Sequence, residues 1–300
     1  MQSTKPKVSI KDLKAASPRW CNNCGDYGAL VGIRRFLFER QLDPAHTVNI
    51  SGIGCSGRMP HYINTYGFHG IHGRAIPVAL GMALARPDLS VFIESGDGDA
   101  LSIGANHLVH GVNKNFNCVF ILLDNQIYGL TKNQTSPTTR QGHPTNTQPQ
   151  GTWLEPINPV QFVLGIGASF VASTADWLPD HFVQTLALAF EHQGFSFIHV
   201  AQRCPKFNPG AWDEDHDDWF DFLVHEKGIG ADVKKAPTAA TVSHDPSDLT
   251  EAFRFAQSPK KAFGLFYRDA SKPCYDQLLR GVRDKVPKRD PAKLLDAFLI

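Results

Sequence analysis

The sequence predicts an α/β fold with a mostly parallel sheet covered by helices on both faces. Short apolar runs of strand length alternate along the chain with longer runs that have helical periodicity. Two of the apolar runs, residues 89–93 and 118–123, lead directly into polar segments rich in potential ligands. Parallel strands of open α/β sheets end in this way, because their ligands bind at the carboxyl ends of the strands.

The first predicted helix shows the pattern on which the helix predictions rest. Leu30, Ile33, Phe36 and Leu37 recur at helical spacing within residues 26–40, so one face of this segment is apolar. Strands are expected at 47–50, 89–93, 118–123, near Phe170, at 195–200 and at 262–267. Further helices are expected at 75–85, ending before Pro87, and at 102–114, 159–164, 179–192 and 275–282. A glycine-rich loop lies at 51–57, and residues 134–151 form a long surface excursion of the kind that is often functional.

The character of the sequence changes near residue 211. Beyond it acidic and aromatic residues are mixed, and residues 227–246 are polar and irregular. We therefore expect one α/β domain at 1–211 and a C-terminal extension at 212–300. The extension is expected to pack on the same domain or on a partner subunit, and to end in a basic tail at 283–293.

The composition argues against several classes of function. The chain has 300 residues, of which 42% are hydrophobic, and a formal net charge of +1, so nucleic acid is not expected as a partner. The longest apolar stretches, such as residues 182–190, are too short to cross a membrane. The amino terminus lacks the long apolar core of a secretory signal, so we expect a cytoplasmic protein.

The segment Gly96-Asp97-Gly98-Asp99 and the later Asn125 form a candidate diphosphate and magnesium site. Glycine permits close approach of backbone N–H groups to phosphate oxygens, and magnesium prefers oxygen ligands. Asp97 offers a carboxylate, Asn125 an amide oxygen, and Ile127 a backbone carbonyl. The spacing between Asp97 and Asn125 accommodates one helix and one strand. The alternative interpretation of Gly-Asp-Gly is a simple strand-to-helix turn.

Four of the six cysteines form a second candidate site. Cys21, Cys24, Cys55 and Cys204 lie in turn-like contexts, and the first two form a Cys-x-x-Cys pair. Four thiolates are the ligand set of an iron–sulfur cubane, but also of a structural zinc ion, and spacing alone does not separate these alternatives. The pairing of Gly96-Asp97-Gly98 with Asn125 resembles the thiamine diphosphate motif, and a redox centre beside that cofactor has a use, which favours iron–sulfur. The remaining cysteines, Cys118 and Cys274, are interpreted as structural.

Together these motifs resemble a known family. The segments WCNNCG, SGIGCSG, YGFHGIHGRA, GDGD, LDNQIYGLTK and QRCP occur, in this order, in the beta subunits of 2-oxoacid:ferredoxin oxidoreductases, and the chain resembles the 2-oxoglutarate branch most. The resemblance extends from about residue 20 to 209 and resumes at 263–275. Two positions depart from the family pattern, since Asn22-Asn23 replaces Pro-Gly and Arg58 replaces a frequent Lys.

The resemblance implies the fold, the cofactors and their ligands. The fold is the thiamine diphosphate-binding fold, and domain 1–211 binds both thiamine diphosphate with Mg²⁺ and one [4Fe-4S] cluster. The four cysteines Cys21, Cys24, Cys55 and Cys204 bind the cluster, and Asp97, Asn125 and Ile127 bind Mg²⁺. The residues assigned to the cofactor are Gly54, Cys55, Ser56, His72, Gly73, Arg74, Gly96, Asp97, Gly98, Asp99, Asn125, Ile127, Gly129, Leu130 and Thr131.

Three residues are candidates for the catalytic site. A dicarboxylate such as 2-oxoglutarate needs a cation for each carboxylate, and Arg58 and Lys132 are the candidates near the site. His72 lies in the segment that borders the cofactor in the family. The alternatives are a solvated loop lysine for Lys132 and a helix-capping histidine for His72.

The implied function is oxidative decarboxylation of a 2-oxoacid, best 2-oxoglutarate, to an acyl-CoA and CO₂, with electrons passing through the cluster to ferredoxin. Thiamine enzymes also need a glutamate to activate the cofactor, and the resemblance implies that an alpha, or fused gamma-alpha, subunit supplies it within an (αβ)₂ assembly. The alternatives are a pyruvate or broad 2-oxoacid enzyme, a non-redox thiamine enzyme, and a non-catalytic metal-binding scaffold.

Overall fold

The computed structural model describes residues 8–212 and 218–285, and within them nine strands form one sheet. In chain order the strands are β1 Thr47–Ser51, β2 Tyr66–His69, β3 Ser90–Gly96, β4 Cys118–Asp124, β5 Phe170–Ala175, β6 Phe195–Ala201, β7 Phe220–Val224, β8 Ala240–Ser243 and β9 Lys261–Arg268. Their order across the sheet is β2-β1-β3-β4-β6-β5-β9-β7-β8. Every neighbouring pair is parallel except β5 and β9, so the sheet is mostly parallel.

Seven α-helices accompany these strands in the described part of the chain. They are α1 Asp26–Glu39, α2 Ala75–Ala85, α3 Ala105–Lys114, α4 Pro159–Gly165, α5 Pro179–Glu191, α6 Leu249–Gln257 and α7 Tyr275–Arg283. Shorter helical turns cover Ser56–His61 and Asp99–Ile103. In the described ranges, no helix has the length and apolar character needed to cross a bilayer.

Helices pack on both faces of the sheet, as the sequence predicts. Successive residues of β3 point in opposite directions, so Phe92 packs in the cluster that contains Phe36 of α1 and Phe182 of α5. Ile93 packs in the other cluster, with residues of α2, α3 and α4. Burying a side chain of this size stabilises a fold by about 1.5–3 kcal/mol. The central strands are therefore apolar on both faces.

Four elements were not predicted from the sequence. Strand β2 has four exposed residues and no alternating pattern. Strands β7 and β8 and helix α6 lie beyond residue 211, and the interpretation of residues 227–246 as irregular is wrong because β8 lies within them. Helix α6 begins with a recognisable cap, since the Asp248 side chain accepts a hydrogen bond from the Glu251 backbone N–H at 3.0 Å.

The described strands beyond residue 211 join the same sheet, because β9 pairs with β5 on one side and β7 on the other. The division into 1–211 and 212–300 nevertheless stays a prediction. Most of the predicted basic tail, at 283–293, lies outside the described residues, as do residues 213–217 of the acidic segment.

The strand order locates a crevice at the carboxyl ends of the strands, where the chain reverses direction across the sheet. Strand β2 lies on one side of β1, and β3 and β4 lie on the other, so the chain reverses direction across the sheet after β2. Crevices at such reversals, outside the carboxyl ends of the strands, are the usual ligand sites of open α/β sheets. The segments that follow β1, β3 and β4 are the ones that contain Cys55, Asp97 and Asn125.

Candidate functional site

A cavity lies at this crevice, between the carboxyl ends of β1, β3 and β4. Every residue that the sequence analysis assigned to the cofactor lines it, except Gly73 and Arg74. Two further lining residues, Ile53 and Tyr128, were not predicted. Gly73 does not line the cavity and has a φ of +68°. The Arg74 guanidinium donates to backbone carbonyls, including that of Ile103 at 3.2 Å.

The three oxygen ligands predicted for magnesium are buried at this cavity. Asp97 and Ile127 are each 2% exposed and Asn125 is 7% exposed. The Asn125 amide is oriented by the chain, because its Oδ1 accepts from the Ile127 N–H at 3.1 Å. Burial, together with the nearby carboxylate of Asp124, raises the pKa of Asp97 to about 7. A buried carboxylate of this kind is stabilised by a bound cation, so the set fits Mg²⁺.

The glycines beside Asp97 let neighbouring side chains approach the bare backbone of the turn. A Cβ at Gly98 would lie 2.1 Å from Cε1 of Tyr128, and a Cβ at Gly96 would lie 3.2 Å from Oγ of Ser56. The Tyr128 hydroxyl donates to the Gly98 carbonyl at 3.0 Å, which keeps the ring over the turn. Close approach to bare backbone is what a diphosphate needs, so the turn fits that group.

Asp99 connects the walls of the cavity. Its Oδ1 accepts from the backbone N–H groups of Ile53 at 2.9 Å and Gly73 at 2.7 Å, and its Oδ2 accepts from the Ser95 hydroxyl at 2.6 Å. The Nδ1 atom of His72 lies 2.7 Å from the same carboxylate. Asp99 therefore anchors the loops that follow β1 and β2 to the turn after β3.

A row of buried hydrogen bonds orients Asp97 from behind. The Thr138 hydroxyl lies 2.8 Å from Oδ2 of Asp97 and 2.8 Å from Oδ1 of Asp124. The other oxygen of Asp124 lies 3.0 Å from Nε2 of His199, whose Nδ1 lies 2.9 Å from the Ser173 hydroxyl. Thr138, Asp124, His199 and Ser173 were not predicted as site residues. The only signal for Thr138 was its position in the polar excursion at 134–151.

The four predicted cluster ligands converge on the other side of the Cys55 loop. A Cβ at Gly129 would lie 3.5 Å from Sγ of Cys204 and 3.9 Å from Sγ of Cys55. The Cys24 N–H donates to the Cys21 carbonyl at 3.2 Å, and the next N–H, of Gly25, donates to the Arg203 carbonyl at 3.0 Å. The Cys-x-x-Cys turn is thus joined to the segment that contains Cys204.

Burial raises the pKa values of three of these thiols and so favours their protonated form. It raises the pKa of Cys55 to about 12, with a further contribution from the carboxylate of Asp26, and it also raises the pKa values of Cys24 and Cys204. In residues 8–212 and 218–285, no three Cys, His, Asp or Glu side chains are arranged to hold a single metal ion. Cys118 and Cys274 are buried elsewhere, as structural cysteines would be.

The predicted substrate residues occupy different places. Arg58 lines a second cavity with Arg19, His61 and His69, and this cavity shares Ile53, Gly54 and Leu130 with the cofactor cavity. Lys132 is exposed, adopts a φ of +71°, and lies outside the lining of both cavities. The structure therefore places Arg58, but not Lys132, beside the site.

A larger cavity of about 330 Å³ lies beyond Asp124 and His199 and is lined by apolar residues that include Trp212, Trp219 and Phe263. It lacks the glycine turn and Asp97, the predicted magnesium ligand. The donor groups that suit a diphosphate and magnesium therefore line the smaller cavity.

Comparison with known proteins identifies the family of the chain. Residues 52–200 match the model of the thiamine pyrophosphate enzyme family, C-terminal TPP binding domain. The 2-oxoglutarate oxidoreductase subunit KorB of Mycobacterium tuberculosis is 40% identical over 291 residues, which cover 87% of this chain and 78% of that protein. The 2-oxoacid:ferredoxin oxidoreductase 1 subunit beta of Aeropyrum pernix is 34% identical over 285 residues, covering 92% and 84%.

A solved structure gives the same result for the fold. It is the 2-oxoglutarate:ferredoxin oxidoreductase from Magnetococcus marinus with 2-oxoglutarate, coenzyme A and succinyl-CoA bound, and one of its chains superposes with a TM-score of 0.87 at 35% identity, covering 98% of this chain and 97% of that one. The fold class and the family resemblance predicted from the sequence are confirmed. The chain belongs to the beta subunits of the 2-oxoacid:ferredoxin oxidoreductases, and it contains their thiamine diphosphate-binding domain.

Proposed function

We propose that this beta subunit, together with an alpha subunit, oxidatively decarboxylates 2-oxoglutarate to succinyl-CoA and CO₂ in a reversible reaction and passes the electrons through a [4Fe-4S] cluster to ferredoxin. The observation that carries the proposal is the position of Cys55. Cys55 lines the cofactor cavity, and its sulfur and that of Cys204 lie 3.9 Å and 3.5 Å from the position of a Cβ at Gly129. One loop thus borders both candidate cofactor sites.

Thiamine diphosphate supplies the carbanion chemistry of decarboxylation, and an iron–sulfur cluster accepts single electrons. For this chain we propose Asp97, Asn125 and the Ile127 carbonyl as the magnesium ligands. The bare backbone of Gly96 and Gly98 lines the cavity and is proposed to face the diphosphate, and Asp99 holds the surrounding loops in place.

We propose Cys21, Cys24, Cys55 and Cys204 as the cluster ligands. Thiolates on a cubane lie farther apart than thiolates on one zinc ion, because iron and sulfide atoms lie between them, whereas each Zn–S bond is only about 2.3 Å long. A redox centre has a use beside the cofactor cavity, which Cys55 lines, whereas a structural zinc ion there has none that we can name, so we favour the cluster over zinc.

The cofactor-activating glutamate is assigned to the partner. Thiamine diphosphate-binding chains of this family are named as beta subunits, which supports an alpha subunit that completes the pocket, in an (αβ)₂ assembly. The beta chain alone is then inactive. We place the enzyme in the cytoplasm, because free thiols and an iron–sulfur cluster need a reducing compartment. Domain 1–211 is proposed to bind both cofactors, and 212–300 to extend it.

The cluster is tested on the co-expressed alpha and beta chains. Cys204→Ala is expected to remove most of the iron and sulfide and to abolish reduction of ferredoxin or a viologen dye, while thiamine diphosphate stays bound. Cys118→Ala is the matched control, because Cys118 is buried within β4 and should leave iron content unchanged. Zinc in place of iron in the wild-type complex would refute the redox function.

The substrate is tested at Arg58. Arg58→Met is expected to raise KM for 2-oxoglutarate by about ten- to hundredfold, since a hydrogen bond to a charged group contributes about 1.5–3 kcal/mol. KM for pyruvate, which lacks the second carboxylate, should change little. Lys132→Ala should have the smaller effect, because Lys132 lies outside both cavities. Equal changes for both substrates would remove Arg58 as the specificity residue and would favour a broad 2-oxoacid enzyme.

A further inference from the structure

A single buried side chain touches both candidate cofactor sites. Gln202 follows β6 directly and is 1% exposed. Its Oε1 accepts from the Asn125 Nδ2 at 2.8 Å, and its Nε2 lies 3.6 Å from Sγ of Cys24 and 2.6 Å from the Arg203 carbonyl. The backbone N–H of Gln202 also donates to the Asp124 carbonyl at 2.9 Å, which fixes the start of the side chain.

The hydrogen bonds determine which end of the Gln202 amide faces the sulfur. The Ile127 N–H donates to Oδ1 of Asn125, so Nδ2 of Asn125 is the end that faces Gln202. A donor at that position requires the oxygen of Gln202 opposite it. The amide nitrogen of Gln202 therefore faces Cys24, and its second hydrogen faces the Arg203 carbonyl. Each of the three N–H groups in this linkage, one from Asn125 and two from Gln202, thus faces an acceptor.

We propose that Gln202 is a positioning residue that orients Asn125 toward magnesium and donates an N–H···S hydrogen bond to the cluster ligand Cys24. The inference rests on the proposed function, since it needs magnesium at Asn125 and the cluster at Cys24. Hydrogen bonds to cluster sulfurs favour the reduced, more negative state, and they are among the factors that set reduction potentials. Partners of metal ligands likewise set the ligands' orientation and the affinity for the metal.

One residue thereby links the electron donor to the electron acceptor. The path from Asn125 to Cys24 through Gln202 consists of two contacts between buried side chains. The linkage predicts that the two sites respond to the same substitution but through different atoms of the amide. The oxygen serves the magnesium site, and the nitrogen serves the cluster site.

Two variants separate these roles in the co-expressed alpha–beta complex. Gln202→Met removes both the acceptor and the donor, whereas Gln202→Glu keeps an acceptor for Asn125 and removes the donor to Cys24. The first measurement is the midpoint potential of the cluster, from a redox titration followed by electron paramagnetic resonance. The second is the dissociation constant for Mn²⁺, used as a paramagnetic probe of the magnesium site, with thiamine diphosphate present.

Both variants are expected to shift the midpoint potential to more negative values. Gln202→Met should also weaken Mn²⁺ binding by about tenfold or more, and Gln202→Glu should change it much less. Asn49→Leu is the control, because it removes a buried amide whose Nδ2 bonds to Thr65 instead of either site. It should leave the potential and the Mn²⁺ affinity unchanged.

The outcomes distinguish this inference from the proposed function. A wild-type complex that contains iron and binds Mn²⁺, with both values unchanged in the two variants, would overturn the role of Gln202 alone. A wild-type complex without iron, or without a Mn²⁺ site, would overturn the proposed function itself. The neutral variant Gln202→Met decides the cluster role, because the carboxylate of Gln202→Glu adds a charge that lowers the potential on its own. If Gln202→Met does not fold, Gln202→Leu, which also removes donor and acceptor without adding a charge, takes its place.

Discussion

The two ends of the central strands both contain buried polar clusters, but the clusters differ in charge. At the amino end, the neutral Asn115 accepts from the Ser169 hydroxyl at 2.6 Å and the Phe195 N–H at 2.9 Å, and it donates to the carbonyls of Lys272 and Pro273 at 3.2 Å. At the carboxyl end, Asp97 is equally buried, yet among the described residues it forms no ion pair with a cation.

The difference separates a structural cluster from a functional one. The Asn115 amide uses both of its donors and two acceptor positions within the chain, so a ligand has nothing to add. A buried carboxylate without a cation is costly until a cation arrives. Burial alone therefore does not mark the site. At these two ends, the difference is the charge of Asp97, which no described cation balances.

The largest effect is expected at the charged end. Asp97→Asn keeps the shape of the side chain but removes the charge that balances Mg²⁺, so we expect activity of the alpha–beta complex to fall by more than about 100-fold, in line with the loss of a metal ligand's charge. Bound thiamine diphosphate, measured in the purified complex, should fall with it. Retention of the cofactor and of activity would contradict the assignment.

At the neutral end the effect should fall on stability alone. Asn115→Ala removes four hydrogen bonds and leaves buried groups unpaired, which should lower the free energy of unfolding by about 2–4 kcal/mol. Asn115 also ends α3 with a φ of +49°, so Asn115→Gly separates backbone strain from the lost side chain. Denaturant unfolding measures both, and cofactor binding at low denaturant should stay as in the wild type.

The neutral end should also respond to acid. Burial lowers the pKa of His192, which contacts Ser169 at this end, to about 4 from its ordinary 6.5. The unfolded chain therefore binds more protons than the folded chain between these values, so this stability is complete above about pH 6.5 and is lost as the pH falls below it. Unfolding measured at several pH values should show the loss, and His192→Gln should make the slope shallower. An unchanged slope would contradict burial of a neutral imidazole.

The smallest effect is expected for matched serines. Ser169 contacts His192 at 2.8 Å at the neutral end, and Ser173 contacts His199 at 2.9 Å in the row that leads to Asp97. Either serine replaced by alanine should lower the free energy of unfolding by about 1 kcal/mol. Only Ser173→Ala should also raise the dissociation constant for Mn²⁺. Equal Mn²⁺ affinities in the two variants would show that the hydrogen bonds from Ser173 through His199 and Asp124 do not influence the metal site.

The sequence predicted the central elements well because burial on both faces leaves a strong signal. Helix α2 was predicted with the observed bounds, and β3 and β4 within a few residues. Strands β2 and β8 were missed because they are short and mostly exposed, so neither an apolar run nor an alternation identifies them. Their pairing comes from the neighbouring strand, which local sequence does not reveal.

The site was predictable where one short segment contains the chemistry. The turn at Asp97 and the Cys-x-x-Cys pair have local patterns, whereas Thr138, His199 and Gln202 act through contacts with distant segments. Gln202 stands two residues before the predicted ligand Cys204, but nothing in that segment indicates its contact with Asn125. Positioning residues of this kind depend on the tertiary fold, and only the folded chain identifies them.

The contact between Gly98 and Tyr128 restricts how these two positions can change during evolution. Any side chain at Gly98 would overlap the tyrosine ring, which itself is tied to the Gly98 carbonyl. A larger residue at Gly98 therefore requires a smaller residue in place of Tyr128. Replacing Gly98 while Tyr128 is kept would disrupt the turn. Among homologues the two positions should be inherited as a pair.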